Sequence, residues 1–125
     1  MKQTIIAENA PKALGPYSHA IKVNGMVFTS GQIGLDPETG ALKEGIEEQT
    51  KQVLKNLEAV LTAAGVKVTD VVKTCVFVQD LKDFATVNKI YGEVFTHAPA
   101  RSCVQVAALP AGALVEIEAI AASDN

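Results

Sequence analysis

The stretch GIEEQTKQVLKNLEAVLTAAGVKVTDVVKTCVFVQ, residues 45–79, decides the fold, because its apolar pattern changes from a helical to a strand period. In residues 45–64 apolar side chains recur every three or four positions, which predicts an amphipathic helix whose C-terminal cap is Gly65. Residues 71–79 are rich in β-branched side chains and predict a strand. A helix leading into a strand therefore forms the centre of the predicted domain.

The regions on either side of this stretch predict further strands and one more helix. Asn24-Gly25 between two apolar runs is a strong signal for a β-hairpin with a type I′ turn. A second helix is predicted to begin at Asp80. Its apolar stripe, at helical spacing, consists of Phe84, Val87, Tyr91, Val94 and Phe95. Two more apolar runs, residues 101–106 and 114–121, predict the last two strands.

This order of elements predicts an α+β fold: a single domain over residues 1–125, with one mixed, mostly antiparallel sheet and two helices packed on one face. Several of the predicted strands are apolar on both faces, and two helices can cover only one of them. We therefore expect other copies of the chain to cover the second face, because monomers in water rarely expose so large an apolar surface.

The composition restricts the classes of function. The 125 residues carry a net charge of −3 and include four Phe, two Tyr and no Trp, without a cluster of basic residues, which argues against a nucleic-acid-binding protein. No apolar stretch is long enough to span a membrane, and the N-terminal residues do not resemble a secretory signal. Two cysteines, Cys75 and Cys103, do not make a disulfide framework, so we expect a reducing, cytoplasmic compartment.

Two charged residues inside apolar runs are the first candidates for chemistry. Arg101 lies in one run, and Glu116 follows fifteen positions later in another. Buried charges are unfavourable unless they find partners. Either Arg101 forms a structural ion pair with Glu116 or Glu118, or its guanidinium is kept for an anionic ligand such as a carboxylate. The residues alone leave both alternatives open.

Further candidates lie near the turns and on the second helix. Tyr17 follows a Gly-Pro turn, Ser30 and Gly31 end the second hairpin strand, and Asn88 flanks the apolar stripe. Each also has a structural explanation, as an exposed ring, a β-bulge or a buried amide. The two histidines have no metal-ligand spacing with the cysteines, and no phosphate or dinucleotide motif occurs. We therefore expect neither a metal nor a cofactor.

Four segments of the chain form a recognisable set: GPYSHA at 15–20, SGQI at 30–33, PARSCV at 99–104 and EIEAIA at 116–121. Together they resemble the RidA/YjgF family of reactive-intermediate imine deaminases. The resemblance covers nearly the whole chain, in the family's order and spacing. It implies a chorismate-mutase-like homotrimer whose sites lie in the clefts between subunits.

The activity that the resemblance implies is that of a 2-iminobutanoate/2-iminopropanoate deaminase. Such an enzyme hydrolyses reactive 2-enamine and 2-imine acids, such as 2-aminoacrylate and 2-aminocrotonate, to 2-oxo acids and ammonia. The resemblance also implies a functional link to pyridoxal-phosphate-dependent serine and threonine dehydratases, which release these compounds. The expected absence of a cofactor, a nucleic-acid partner and a membrane partner follows from the composition and spacing described above, not from the resemblance.

The family pattern assigns roles by position. Arg101 matches the arginine that grips the substrate carboxylate, and Glu116 matches the glutamate that positions the attacking water. The other matching pocket positions are Tyr17, Ser30, Gly31, Asn88 and Cys103. Gln105 and Ala108 stand where many members carry glutamate and arginine, which bears on the charge at the rim and on substrate range.

Two other functions are compatible with the same residues. A non-enzymatic trimer could bind a small carboxylate, such as a 2-oxo acid, and signal its concentration to a partner protein. An endoribonuclease that inhibits translation, an activity attributed to some family members, is disfavoured by the acidic charge balance and the absence of a basic patch.

Overall fold

The computed structural model describes residues 1–123, in which seven strands form one sheet and two α-helices pack against it. The strands are β1 (Gln3–Ile5), β2 (Ala20–Val23), β3 (Met26–Thr29), β4 (Gln32–Ile33), β5 (Val71–Val78), β6 (Ala100–Gln105) and β7 (Val115–Ala122). The helices are α1 (Gly45–Ala63) and α2 (Phe84–Val94). Short 3₁₀ turns cover Val68–Asp70, Leu81–Asp83 and Pro110–Gly112.

The last strand lies in the middle of the sheet. The strand order is β1-β2-β3-β7-β5-β6, and β4 also pairs with β7. All pairs are antiparallel except β5–β6, which are parallel because α2 crosses back between them. The prediction of a mixed, mostly antiparallel sheet is confirmed.

Both helices bury their apolar stripes against the same face of the sheet, which we call the helix face. Val53 and Val60 of α1 and Val87 of α2 meet Val76 of β5 and Ile117 of β7, and all five are fully buried in one core. This follows from the two periods in the sequence, since a helical stripe and alternate strand positions each present one apolar side. The expectation of two helices on one face is confirmed.

The predicted turns form with the expected backbone. Asn24 and Gly25 have φ angles of 51° and 75°, as a type I′ turn requires, and join β2 to β3. Gly65 has a φ of 79° directly after the C-cap of α1, so this helix ends where the sequence predicts.

Three details differ from the sequence-based expectation. The strand β1 was not predicted, and the run after the hairpin turn is divided into β3 and β4. The second helix begins later than expected: Asp80 caps the 3₁₀ turn Leu81–Asp83 by accepting a hydrogen bond from the Lys82 N–H, and α2 starts only at Phe84.

The other side of the sheet, which we call the open face, is not covered by residues 1–123. Phe28 is 42% exposed and Val104 is 46% exposed, and they lie in register with the partly buried Ile120 and Phe77. An apolar surface of this kind supports the expectation that further copies pack on it, and the homotrimer itself stays a prediction. Within residues 1–123, neither helix combines the length and apolarity needed to cross a membrane.

Candidate functional site

Arg101 is held at the edge of the helix face. It lies opposite the buried Thr74 in the β5–β6 ladder, which turns its side chain toward α2. Its Nη1 donates a hydrogen bond of 2.6 Å to Asn88 Oδ1. The guanidinium carbon lies 5.0 Å from the ring centre of Tyr91 and 5.6 Å from that of Phe84. Cation–π contacts and one amide thus fix the guanidinium within its own chain.

Helical spacing explains how α2 forms this cradle. Phe84, Asn88 and Tyr91 are separated by four and three positions, so they share one side of the helix. Sequence reasoning selected Asn88 but assigned both rings only to the core. The signal that could have identified them is the polar amide between two aromatic residues at helical spacing, together with an arginine in the next strand.

Glu116 lies on the opposite face of the sheet. Its neighbour Ile117 points into the core and is fully buried, so Glu116 points to the open face, because strand side chains alternate. The carboxylate rests on the backbone of Gly31, where any Cβ atom would overlap it. A side chain at position 31 would therefore force the Glu116 carboxylate to move away from this position.

The backbone around Gly31 forms a bulge. Phe28 pairs with Ile120 and Gln32 pairs with Ile117, so four steps on one strand oppose three on β7. The Thr29 Oγ1 accepts a hydrogen bond of 2.9 Å from the Ala119 N–H within this irregular stretch. The bulge separates β3 from β4 and places Ser30 and Gly31 beside Glu116.

An open cavity of about 310 Å³ lies over Glu116. Its walls are formed by Leu14, Tyr17, Ser30, Gly31, Ile33, Pro110 and Glu116. The Ser30 hydroxyl donates a 2.7 Å hydrogen bond to the Ser18 carbonyl, and the Tyr17 hydroxyl accepts one of 3.1 Å from the Leu14 N–H. The structure thus brings four of the predicted site residues together in one place: Tyr17, Ser30, Gly31 and Glu116.

Burial changes the acidity of groups in both parts of the site. Desolvation, followed by the nearby negative charge of Glu118, raises the pKa of Glu116 above its usual value. Desolvation also raises the pKa of the Cys103 thiol, and the positive charge of Arg101 opposes that shift. Glu116 is therefore suited to exchanging protons, whereas Cys103 is a neutral thiol packed at the edge of the core.

Within one chain the two groups of site residues are separated by the sheet. Arg101, Asn88 and Cys103 lie on the helix face, because Cys103 pairs with the buried Val76 just as Arg101 pairs with Thr74. Tyr17, Ser30, Gly31 and Glu116 surround the cavity on the other side. The ion pair between Arg101 and Glu116 or Glu118 that the sequence allowed does not form within residues 1–123.

The histidines act as structural links. His19 is buried, and its Nδ1 accepts a 2.9 Å hydrogen bond from the Ala7 N–H, so its Nε2 donates the 2.8 Å bond to the Pro11 carbonyl. His97 binds the Val71 carbonyl through Nε2. Residues 1–123 contain no cluster of three or more His, Cys, Asp or Glu side chains that could hold a metal ion.

Comparison with known proteins shows the family to which this chain belongs. Residues 7–123 match a family model described as endoribonuclease L-PSP. The 2-iminobutanoate/2-iminopropanoate deaminase of Salmonella typhimurium is 54% identical over 97% of this chain and 98% of its own. This chain belongs to the RidA/YjgF family.

Solved structures of the RidA/YjgF family have the same fold. RidA from the Antarctic bacterium Psychrobacter sp. PAMC 21119 is 48% identical, with a TM-score of 0.95 covering 97% of this chain and 99% of that one. Escherichia coli TdcF, determined with bound serine, is 44% identical, with a TM-score of 0.94 covering 98% and 99%. The family that the sequence motifs resemble is thus confirmed.

Proposed function

We propose that this protein is a 2-iminobutanoate/2-iminopropanoate deaminase, which hydrolyses short 2-imino acids and their enamine tautomers to 2-oxo acids and ammonia. The observation that carries the proposal is the state of Arg101. Its guanidinium is oriented by Asn88 and two aromatic rings, and no carboxylate in residues 1–123 neutralises it. A planar fork of donors in this state suits a substrate carboxylate, and the curated relative carries this activity in its name.

The complete site in this proposal forms between two copies of a homotrimer. One copy supplies Arg101, with Asn88 and Cys103 beside it, and its neighbour supplies Glu116. The separation of these residues by the sheet of a single chain supports this arrangement. The uncovered apolar side chains of the open face supply the attraction between copies.

In the reaction, these residues have three functions: they bind the substrate carboxylate, remove a proton from water and protonate the nitrogen. Arg101 holds the substrate carboxylate through its remaining N–H groups. Water adds to the imine carbon, and Glu116 accepts a proton from that water. That proton passes to the nitrogen and gives a tetrahedral carbinolamine. Glu116 then takes the hydroxyl proton of the carbinolamine and returns it to the nitrogen while C=O forms and the C–N bond breaks, so that ammonia and the 2-oxo acid leave. Because an imine is already electrophilic, positioning and one proton carrier of raised pKa are sufficient.

The proposed substrates have three or four carbons. Serine, which is bound in E. coli TdcF, has the carboxylate and carbon count of 2-aminoacrylate. This similarity supports a site for small amino-acid-like carboxylates. The class of reaction that supplies such substrates is β-elimination from hydroxy amino acids, which is the link to pyridoxal-phosphate-dependent dehydratases.

A coupled assay tests the proposal. A threonine or serine dehydratase generates the enamine, and formation of the 2-oxo acid is followed with and without this protein. We expect the wild-type protein to accelerate product formation and Arg101→Ala to abolish the effect. Arg101→Lys, which keeps the charge but loses the planar fork, should recover little of it. Equal acceleration by wild type and both variants would contradict the role of Arg101.

The same experiment separates the alternatives. A protein that only senses a small carboxylate would bind 2-oxobutanoate in an Arg101-dependent manner without accelerating product formation. The description of the family model, endoribonuclease L-PSP, favours a second test for RNA cleavage. Cleavage that survives both Arg101→Ala and extensive purification would point to a separate ribonuclease activity.

A further inference from the structure

Two buried hydroxyl groups lie directly beneath the Arg101 cradle. The Thr74 Oγ1 and the Tyr91 hydroxyl are 2.6 Å apart, with Thr74 fully buried and Tyr91 only 7% exposed. Thr74 is the residue opposite Arg101 in the β5–β6 ladder, and the Tyr91 ring is the nearer of the two rings that face the guanidinium. The three side chains thus form one continuous stack.

Packing alone does not explain these two hydroxyls. Valine and phenylalanine would fill the same space without placing polar atoms in the core, where a hydroxyl must find a partner. The pair does constrain geometry. Thr74 is β-branched and lies within β5, where it pairs with a strand on either side, so its Oγ1 is a fixed point. A short hydrogen bond to that point sets both the tilt and the height of the Tyr91 ring.

We propose that Thr74 and Tyr91 are positioning residues for the arginine that binds substrate. The hydrogen bond between them fixes the ring on which the guanidinium rests, while Asn88 occupies Nη1, so that the remaining N–H groups of Arg101 face the incoming carboxylate. This inference rests on the proposed function. It adds that the orientation of Arg101 is set by two hydroxyls that do not touch the substrate.

The sequence offers a direct way to observe this orientation. Arg101 is the only arginine among the 125 residues, so the protein has a single arginine Nε–Hε signal in a ¹H–¹⁵N NMR spectrum. The ring currents of Tyr91 and Phe84 act on the guanidinium, and its signal therefore reports the stack whether or not a substrate is present.

The experiment compares Tyr91→Phe, Thr74→Val and the double variant with the wild type. We expect each to move or broaden the Arg101 signal and to raise the Kd for 2-oxobutanoate by about three- to tenfold. The kcat for imine hydrolysis should stay within about twofold, because Glu116 acts from the other side of the site. A raised Kd with a nearly unchanged kcat would show that Thr74 and Tyr91 position Arg101 for substrate binding.

Two comparisons exclude a purely structural effect. Thr50→Val removes another buried hydroxyl, which donates to the Ile46 carbonyl in α1, and should lower Tm without changing the Arg101 signal or the Kd. The double variant removes both partners of the Thr74–Tyr91 bond and leaves no unpaired hydroxyl. Its Tm should therefore return toward that of the wild type while the Kd stays raised.

The outcomes distinguish this inference from the proposed function. An unchanged Arg101 signal and Kd in Tyr91→Phe and Thr74→Val would overturn the positioning role, even if the wild type is an active deaminase. A Kd that recovers together with Tm in the double variant would do the same. If the wild type neither binds 2-oxobutanoate nor hydrolyses imines, the proposed function fails, and the NMR comparison still decides whether the two hydroxyls orient Arg101.

Discussion

The two faces of the sheet differ in how completely one chain builds its part of the site. On the helix face, Arg101 is tied by a 2.6 Å hydrogen bond to Asn88 and flanked by two rings. On the open face, Glu116 rests on a glycine backbone at the bottom of an open cavity, with Tyr17 44% exposed at its rim. The surroundings of Arg101 are complete within the chain, whereas those of Glu116 are left uncovered.

In the proposed function, this difference corresponds to a division between substrate binding by Arg101 and proton transfer by Glu116. A guanidinium fixed in its own subunit needs no reorganisation when a carboxylate arrives. A carboxylate that acts as a proton carrier benefits from a drier environment, which a neighbouring copy on the open face would supply. The catalytic environment of Glu116 would then form only when copies of the chain associate.

Complementation between two inactive variants is the strongest test of this division. Arg101→Ala and Glu116→Gln should each be inactive as pure trimers. When the two chains are co-expressed in equal amounts, about a quarter of the interfaces combine an intact Arg101 with an intact Glu116. We therefore expect about a quarter of the wild-type rate from the mixture, measured with the coupled dehydratase assay.

The control for complementation is a second mixture that cannot rebuild a site. Chains carrying both substitutions, co-expressed with Arg101→Ala chains, have no intact Arg101 and should stay inactive. Activity in neither mixture, while both variants still form trimers, would show that Arg101 and Glu116 do not act together across an interface.

Filling the space beneath Glu116 should have a large effect on turnover. The Cβ of Gly31→Ala overlaps the Glu116 carboxylate, which must move away, and a displacement of about 1 Å in a catalytic group lowers kcat by about 100-fold. Gly92→Ala in α2 is the matched control, because nothing lies within 4 Å of its added Cβ. Steady-state kinetics of both variants would contradict the close-approach argument if they were equally active.

Local patterns in the sequence were sufficient for most of the fold. The helical period of residues 45–64 and the Asn24-Gly25 turn each depend on neighbouring residues, and both predictions are confirmed. The sequence offered a β-bulge as one explanation of Gly31, but it could not show that the bulge divides the predicted strand into β3 and β4. This division depends on a bulge against β7, which lies about 90 residues away in the chain.

The sequence also could not predict on which face of the sheet each site residue lies. In β6 the charged Arg101 is partly buried, whereas the apolar Val104 is 46% exposed, which is the reverse of what residue polarity predicts. The register with β5 and the position of α2 decide these orientations. For the same reason, the motifs selected Arg101 and Glu116 but could not place them on opposite faces.

A charged residue on the open face should prevent trimer formation without preventing folding of the chain. Phe28→Asp places a carboxylate in the apolar surface, whereas its neighbour Val27 is fully buried in the core. We expect light scattering to give the 13.1 kDa of a folded monomer instead of three times that mass, with loss of deaminase activity. Lys55→Asp, an exposed position on α1, should keep the wild-type mass. A trimeric, active Phe28→Asp would contradict the role of this face.

The smallest effect should be a shift in pH dependence caused by Glu118. Burial, followed by the negative charge of Glu118, raises the pKa of Glu116, so we expect the acid limb of kcat/KM to lie at a higher pH than an unshifted glutamate would give. Glu118→Gln favours the ionised form of Glu116, so the acid limb of kcat/KM should move to lower pH while the rate near pH 8 stays the same.

The same pKa shift affects stability. A carboxyl with a raised pKa binds more protons in the folded chain, so the wild-type unfolding free energy falls as pH rises through the pKa of Glu116 in the folded chain. Glu118→Gln should make this decrease in unfolding free energy smaller. The control Glu58→Gln on α1 should change neither the acid limb of kcat/KM nor the pH dependence of the unfolding free energy. An unmoved acid limb in Glu118→Gln would mean that a group other than Glu116 carries the proton.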